Sequence, residues 1–206
     1  MPESATTLAP ETSPAAPTDG ISLAPAQRKL LDILRNIGGP LFAILDAARD
    51  DRILQILAAS GEEYQSLYTG LQGEILAPYA PYLVRLPADS TLLETLIAQG
   101  WGQSWGIYLV SAADWKALRK HFRAFLIVKS PENRPLYFRY YDPRVLRVYF
   151  PTCNVAGAQI MFGPVDAYLC ENETSTTMLM FKPALDQLHE ENYKFLTTST
   201  IPISKQ

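Results

Sequence analysis

One stretch, FRYYDPRVL at residues 138–146, marks where a strand ends and a helix begins. Its apolar residues alternate with Leu136 upstream, which predicts a strand over Leu136–Tyr141 because successive side chains of a strand point to opposite faces. Asp142 and Pro143 predict the end of that strand. Asp favours the N-cap of a helix and Pro its first position, so we expect a helical segment to start here.

From residue 41 to about residue 128, short apolar runs alternate with amphipathic segments. Alternation of predicted strands and helices is typical of an α/β sheet covered by helices. The link between Ala124–Val128 and Leu136–Tyr141 is too short for a crossover helix, so these two segments predict an antiparallel hairpin. The fold class predicted from the sequence is therefore α/β, with a mixed, largely parallel sheet and helices packed against it.

The remaining segments complete a prediction of one domain between two tails. Residues 1–24 are rich in Pro, Ala and Thr and predict a disordered tail, which could also fold on a partner. Residues 25–196 are predicted to form the single α/β domain, and residues 197–206 a frayed C-terminal tail. Near the end of the domain, Gln159–Gly163 predicts a strand and Pro183 the start of a last helix.

Composition excludes several classes of function. The 206 residues carry a net charge of −3, so no overall positive field is available to hold nucleic acid or an anionic membrane. The basic cluster Lys116–Arg123 is predicted to be a solvated helix face. No stretch has the length of a membrane span, and no basic segment followed by an apolar run marks a secretory signal. A cytoplasmic protein is expected, with its two cysteines reduced.

A serine hydrolase is one hypothesis that the sequence permits. Gly102-Gln103-Ser104-Trp105-Gly106 matches the G-x-S-x-G pattern, in which a strand normally precedes the serine and a helix follows it. Here a predicted helix precedes Ser104 and a strand follows, so the pattern favours a glycine-rich entry to a strand. His121 or His189 could serve as base with Asp166 or Asp142, but the reversed context disfavours a catalytic role.

Metal and cofactor sites are not predicted. The two histidines are far apart and neither has the spacing of a metal-binding helix. Neither of the glycine-rich phosphate-binding patterns occurs in the chain. We therefore expect no metal, no cofactor and no catalytic residue.

Asp46 and Arg139 are the charged residues with the clearest predicted partners. Asp46 lies near the C-terminal end of the predicted buried strand Leu41–Ala48, where an acid can be catalytic in an open α/β sheet. We instead favour a cap of the next helix or a pair with a buried cation. Arg139 is flanked by aromatic residues in a strand expected to be covered on both faces, so it needs a carboxylate, either Asp46 or Asp142. We expect a structural ion pair here.

Tyrosines gather around the loop before the predicted strand Tyr82–Leu86. Tyr and Trp are enriched where proteins meet proteins, because they combine a large contact area with a polar tip. Tyr82 is expected in the core. Tyr64, Tyr68 and Tyr79 lie beside glycines and prolines and are predicted to form an exposed partner-binding patch.

The chain resembles the type VI secretion effector chaperones, the adaptor proteins of the Tap/Tec group. Four motifs in order carry this resemblance, over positions from about 41 to about 181. They are LFAILDAA at 41–48 with Asp46, LVRL at 83–86 after YAPY at 79–82, WGI at 105–107 with Trp105 and Gly106, and the stretch at 138–146 with Arg139, Tyr141, Asp142 and Pro143.

That resemblance implies a binding protein with no catalytic step of its own. Its expected partners are a cognate secreted effector protein and the VgrG-type spike protein onto which the effector is loaded, and neither nucleic acid nor a membrane is expected to bind. An immunity-type inhibitor, which binds a toxin to block it, is the alternative, with the Ser104 hydrolase as the third hypothesis.

Overall fold

The computed structural model describes residues 21–130, 132–183 and 188–194, and its main feature is a seven-stranded antiparallel sheet. The described strands are β1 (Leu41–Asp46), β2 (Tyr64–Ser66), β3 (Pro81–Leu86), β4 (Gly106–Val110), β5 (Ile127–Lys129), β6 (Pro135–Tyr137), β7 (Ala167–Glu171), β8 (Thr177–Pro183) and β9 (Leu188–Lys194). The sheet has the order β2-β3-β1-β4-β7-β8-β9, and β5 and β6 form a separate two-stranded sheet. The predicted tails lie outside the described residues, except for residues 21–24.

Helices cover both faces of the large sheet. They are α1 (Pro25–Arg35), α2 (Arg52–Ser60), α3 (Gly70–Ile75), α4 (Thr91–Thr95, continued by a π-helical turn, Leu96–Gly100), α5 (Trp115–Arg123), α6 (Pro143–Tyr149) and α7 (Val155–Phe162). One apolar core joins the sheet to α1, α2 and α4, and a second joins it to α5, α6 and α7. β1 contributes to both cores, because Ala43 and Leu45 face the first and Phe42 and Ile44 the second.

The prediction of a largely parallel sheet is wrong, since every paired strand of the large sheet is antiparallel. The connections explain the error. α2 links β1 to β2 and α4 links β3 to β4, and each of these pairs of strands runs in one direction. However, β3 lies between β1 and β2, and β1 lies between β3 and β4. The two strand–helix–strand units, β1-α2-β2 and β3-α4-β4, therefore interlock. Strands that the sequence suggests as parallel neighbours are separated by a strand of opposite direction.

Residues 138–146 are helical where predicted, but the predicted strand Leu136–Tyr141 is shorter, since β6 spans only Pro135–Tyr137. The antiparallel hairpin is confirmed, as β5 pairs with β6, yet β6 ends at Tyr137. The chain then turns so that Tyr140 enters the second core, where its hydroxyl donates to the Phe122 carbonyl at 2.8 Å. The predicted N-cap Asp142 and the first helical residue Pro143 are both confirmed in α6.

Two elements near the C-terminal end differ from the prediction. Gln159–Gly163 was predicted as a strand but lies mostly in α7, whose residues are apolar on nearly all sides and therefore lack helical periodicity. Pro183 was predicted to open a helix but ends β8, and residues 188–194 form β9. β9 is polar, and pairing with β8 fixes its conformation, with Lys182 Nζ donating to Glu191 Oε1 at 3.0 Å across the two strands.

Candidate functional site

Two buried carboxylates, Asp46 and Asp142, share the guanidinium of Arg139 at the end of β1. Arg139 Nη2 donates to Asp46 Oδ2 at 2.5 Å and lies 3.7 Å from Asp142 Oδ2. On the other side, Arg144 donates two hydrogen bonds to Asp142, of 2.9 and 2.6 Å. The carboxylates are almost fully buried, while the two arginine side chains are about half exposed. The cluster thus neutralises two buried charges and keeps its cations at the surface.

Both carboxylates also accept hydrogen bonds from backbone N–H groups. Asp46 accepts a hydrogen bond from Ala48 N at 3.2 Å and caps the 3₁₀ turn that follows β1, and Asp142 accepts from Arg144 N at 3.0 Å and caps α6. Arg139 does not lie in a strand covered on both faces, as the sequence predicted, because β6 ends two residues before it. The arrangement supports a structural role for these four side chains.

The charges of this cluster set the protonation of its neighbours. Burial alone would raise the pKa of the Asp142 carboxyl, but hydrogen bonds from Arg144 and the charges of Arg144 and Arg139 outweigh it and hold that pKa below its usual value. Burial raises the pKa of the Tyr141 phenol, and Tyr68 and Asp46 shift it the same way. Asp142 is therefore ionised and Tyr141 neutral near pH 7, so neither is poised to exchange a proton there.

Tyr68 connects this cluster to the molecular surface. Burial raises the pKa of its phenol, and interaction with the neighbouring Tyr141 phenol partly opposes that shift. Of the other tyrosines predicted to bind a partner, Tyr79 is 62 % exposed, and Tyr64 is partly exposed with its ring 6.0 Å from that of Tyr82. Tyr82 itself is buried. The structure thus leaves Tyr64 and Tyr79 at the surface and half-buries Tyr68.

Tyr68 forms part of the wall of a groove of about 260 Å³ between α3 and the β5–β6 hairpin, in which apolar and polar surface are about equally represented. We call it the α3–hairpin groove, and it is lined by Leu67, Tyr68, Thr69, Gly73, Leu76, Arg123, Leu126, Ile127 and Tyr137. Its volume is below the range of about 300–1,000 Å³ that is typical of small-molecule sites. A groove of this size suits one or two side chains of a protein partner.

Large apolar side chains stand exposed around this groove. Tyr137, Ile127 and Leu76, which line the groove, are 71 %, 55 % and 39 % exposed. Leu71 and Ile75 of α3 and Leu136 of β6 are also exposed, but they do not line it. Single exposed apolar residues are ordinary, but several that line one groove are characteristic of a surface that binds another protein.

The Ser104 pattern forms a loop that is held by a buried carboxylate. Glu171, the last residue of β7, accepts hydrogen bonds from Gly102 N, from Ser104 N at 3.0 Å and from Ser104 Oγ at 3.2 Å. Within the described part of the chain, His121 makes no hydrogen bond with Ser104. His121, one of the two proposed bases, instead has its Nε2 2.8 Å from the Met161 carbonyl oxygen.

Trp105 and Gly106, which belong to the same motif, serve the packing of β1. Trp105 is buried beneath the guanidinium of Arg52, 5.1 Å from its ring, and its carbonyl accepts from Asp46 N at 2.8 Å. At Gly106 a Cβ would overlap the Ile44 carbonyl oxygen. These contacts account for both residues without a catalytic role.

Sequence reasoning missed Glu171 and most of the residues that surround the groove. One feature of the sequence could have pointed to Glu171: it is a single acidic residue directly after the apolar run Ala167–Cys170. For Ile75 and Tyr137 there was no such signal, because their exposure depends on how α3 and the hairpin pack.

Two properties of the described part of the chain concern metals and membranes. No group of three or more His, Cys, Asp or Glu side chains is placed to hold a metal ion within residues 21–130, 132–183 and 188–194. Over the same ranges, no helix combines the length and the apolar character that crossing a membrane requires.

Comparison with known proteins identifies a family. No match was found among curated proteins or among solved structures. A family model described as a domain of unknown function (DUF4123) matches residues 41–159, more than half of the 206 residues. The matched region runs from β1 into α7 and includes the aspartate–arginine cluster and the α3–hairpin groove. The chain therefore belongs to the DUF4123 family, a family linked to effector chaperones of type VI secretion.

Proposed function

We propose that this protein is an effector-specific chaperone and adaptor, which binds a type VI secretion toxin and helps to load it onto the spike protein. Its work is non-covalent, and no side chain takes part in a catalytic step. Membership of the DUF4123 family supports the assignment to type VI secretion. The exposed apolar residues around the α3–hairpin groove carry the proposal that it acts by binding a protein.

The groove has a base that is packed on the second core and a rim that contains few buried residues. Its base rests on the second core, through the buried side chains of Leu67 and Leu126, and Tyr68 is tied to Tyr141. Its rim consists of a short helix and a two-stranded hairpin, elements with few buried residues of their own. A rigid base with apolar side chains already exposed lowers the ordering cost of binding. We expect the groove to cover an apolar segment of the effector until delivery.

The test is capture of partners from native lysate, with matched variants. Wild-type protein is expected to co-purify with the effector and the spike protein, identified by mass spectrometry. Leu76→Asp and Tyr137→Asp each place a charge in the lining of the groove and should reduce the captured effector about tenfold, ~1.4 kcal/mol. Ile160→Asp is the control, because Ile160 of α7 is 65 % exposed, close to the exposure of Tyr137, but does not line the groove.

The outcomes separate the competing functions. Loss of the effector with Tyr137→Asp but not with Ile160→Asp supports the proposal, and unchanged capture by both groove variants contradicts it. Capture of a toxin without the spike, together with protection of cells that express that toxin, would favour the immunity-type inhibitor. Labelling by a fluorophosphonate probe that is lost in Ser104→Ala would instead favour a hydrolase.

A further inference from the structure

Two arginines of α5 are fixed beside the α3–hairpin groove. Arg119 and Arg123 lie one helical turn apart, and they donate to the last residue of β2 and to the loop between β2 and α3, respectively. Arg119 donates to the Ser66 carbonyl oxygen from Nε at 3.1 Å and from Nη2 at 2.9 Å, and Arg123 Nη2 donates to Thr69 Oγ1 at 2.6 Å. Their guanidiniums are therefore held in place next to the groove, with Arg123 forming part of its wall.

Neither of these arginines forms an ion pair within the described ranges of the chain. Other cations of the chain do pair with carboxylates: Arg35, Arg52, Arg85, Arg139, Arg144 and Lys182. Arg119 and Arg123 instead use a backbone carbonyl and a hydroxyl, which accept hydrogen bonds but do not neutralise charge. Burial, together with the nearby charge of Arg123, lowers the pKa of Arg119, as expected of two close cations without an anion.

Arg123 has the capacity to bind a further group. Its residue is exposed, and a guanidinium carries N–H donors in a planar fork that matches a carboxylate. Only its Nη2 donates a hydrogen bond within the described residues. The groove therefore combines an apolar floor, from Leu67 and Leu126, with a cation in its wall that has no anionic partner within the described part of the chain.

From these observations we propose that the α3–hairpin groove takes a short partner segment in which a large apolar residue is followed closely by Asp or Glu. The apolar side chain fills the groove and the carboxylate pairs with Arg123, while Arg119 adds to the positive potential. This inference rests on the proposed function, in that the segment belongs to the effector. The pairing contributes to specificity, because a neutral or basic segment leaves the two arginines without an anion.

The experiment measures binding of defined peptide pools by fluorescence anisotropy. Three pools share the same apolar positions (Leu, Phe, Tyr), and their remaining positions are drawn from Asp/Glu, from Asn/Gln or from Lys/Arg. Wild-type protein should bind the acidic pool about tenfold more tightly than the neutral pool, the effect of one charge-assisted contact. The preference should weaken as salt is raised, since the arginines are partly exposed to solvent.

The variants assign that preference to the groove. Arg123→Gln, and the double variant Arg119→Gln/Arg123→Gln, should bind the acidic and neutral pools equally. The single variant keeps the test valid should the double variant fold poorly. Lys116→Gln/Lys120→Gln is the control, because it removes two charges from exposed positions of the same helix that do not line the groove, and it should retain the preference.

Several results would overturn the inference. Equal binding of the acidic and neutral pools by wild-type protein would do so, as would a preference that survives in Arg123→Gln. Tight binding to phosphatidylglycerol vesicles that is lost in Arg123→Gln would identify a membrane as the occupant, and concentration-dependent dimerisation lost in that variant would identify a second copy. Effector capture that is unchanged in Arg123→Gln would reject this inference and leave the proposed function standing. Selective binding of the acidic peptides without any captured effector would support this inference and contradict the proposed function.

Discussion

At the scale of single residues, Gly106 shows how closely two central strands approach. Gly106 pairs with Leu45, and a Cβ at this position would overlap the Ile44 carbonyl oxygen and lie 2.9 Å from Leu45 Cα. Both obstacles are backbone atoms of β1, which is buried on its two faces and has no room to move away. Only glycine allows β1 and β4 to pair here.

Gly106→Ala is therefore expected to lower the free energy of unfolding by about 2–4 kcal/mol, since the strands must separate to admit a methyl group. Urea unfolding followed by circular dichroism measures this. Gly157→Ala is the control, because its Cβ would meet the Asn154 side chain at 3.2 Å and no backbone of another element. An unchanged midpoint in Gly106→Ala would show that β1 and β4 are not packed as described.

The ion pair between Asp46 and Arg139 is a second contact between single residues that stabilises the fold. Removing Arg139 leaves a buried carboxylate with one remaining donor, Ala48 N. We expect Arg139→Ala to cost about 1–3 kcal/mol, less than the loss of a fully buried pair, because the arginine is half exposed and water can replace it.

A double-mutant cycle with Asp46→Asn tests this pair. The two substitutions together should cost less than the sum of the single costs, by about 1 kcal/mol or more. Additive costs would contradict a direct interaction. A stable Arg139→Ala protein that only lost its partner would instead place Arg139 in the binding surface.

At the scale of elements, Glu171 fixes the loop through which α4 leads into β4. Burial is the largest influence on this carboxyl and raises its pKa, against hydrogen bonds from Gly102 and Ser104 that lower it. The native state therefore holds the Glu171 proton more tightly than the unfolded chain does. The contribution of this group to stability is largest below the ordinary glutamate pKa and is lost as pH rises through the raised native value.

The pH dependence of Glu171→Gln checks this sign. The stability of the wild type relative to Glu171→Gln should decrease as pH rises from about 4, near the unfolded pKa, and then level off above the native pKa. Urea unfolding of both proteins across this range provides the measurement. A relative stability that increases with pH would show that the hydrogen bonds outweigh burial.

At the scale of the whole molecule, the interlocked strands explain what the sequence could and could not reveal. The run Leu41–Ala48 predicted a buried strand, which the structure ends at Asp46, and Asp142-Pro143 predicted the start of α6. Strand direction was not available from these runs, because a strand covered on both faces has the same apolar pattern in a parallel and in an antiparallel sheet. The order of strands depends on contacts between distant segments.

The sequence predicted the candidate site about as completely as it predicted the fold. The aromatic residues near Gly70 indicated a surface, and the flanking aromatics and aspartates indicated partners for Arg139. The opposite wall of the groove was not predictable, because Arg123 and Tyr137 join Tyr68 only when the chain has folded and brought these distant segments together. In the same way Glu171 reaches Ser104 across 67 positions of sequence.

The central claim is that the DUF4123 fold of this chain presents the α3–hairpin groove to a protein partner. Hydrogen–deuterium exchange of the protein, alone and in complex with its co-purified effector, tests this claim most directly. The account predicts slower exchange on binding in Gly70–Ile75 and Pro135–Tyr137, with no change in Val155–Phe162. Slower exchange confined to α1 and α2, on the opposite face of the sheet, with unchanged exchange at the groove, would contradict it.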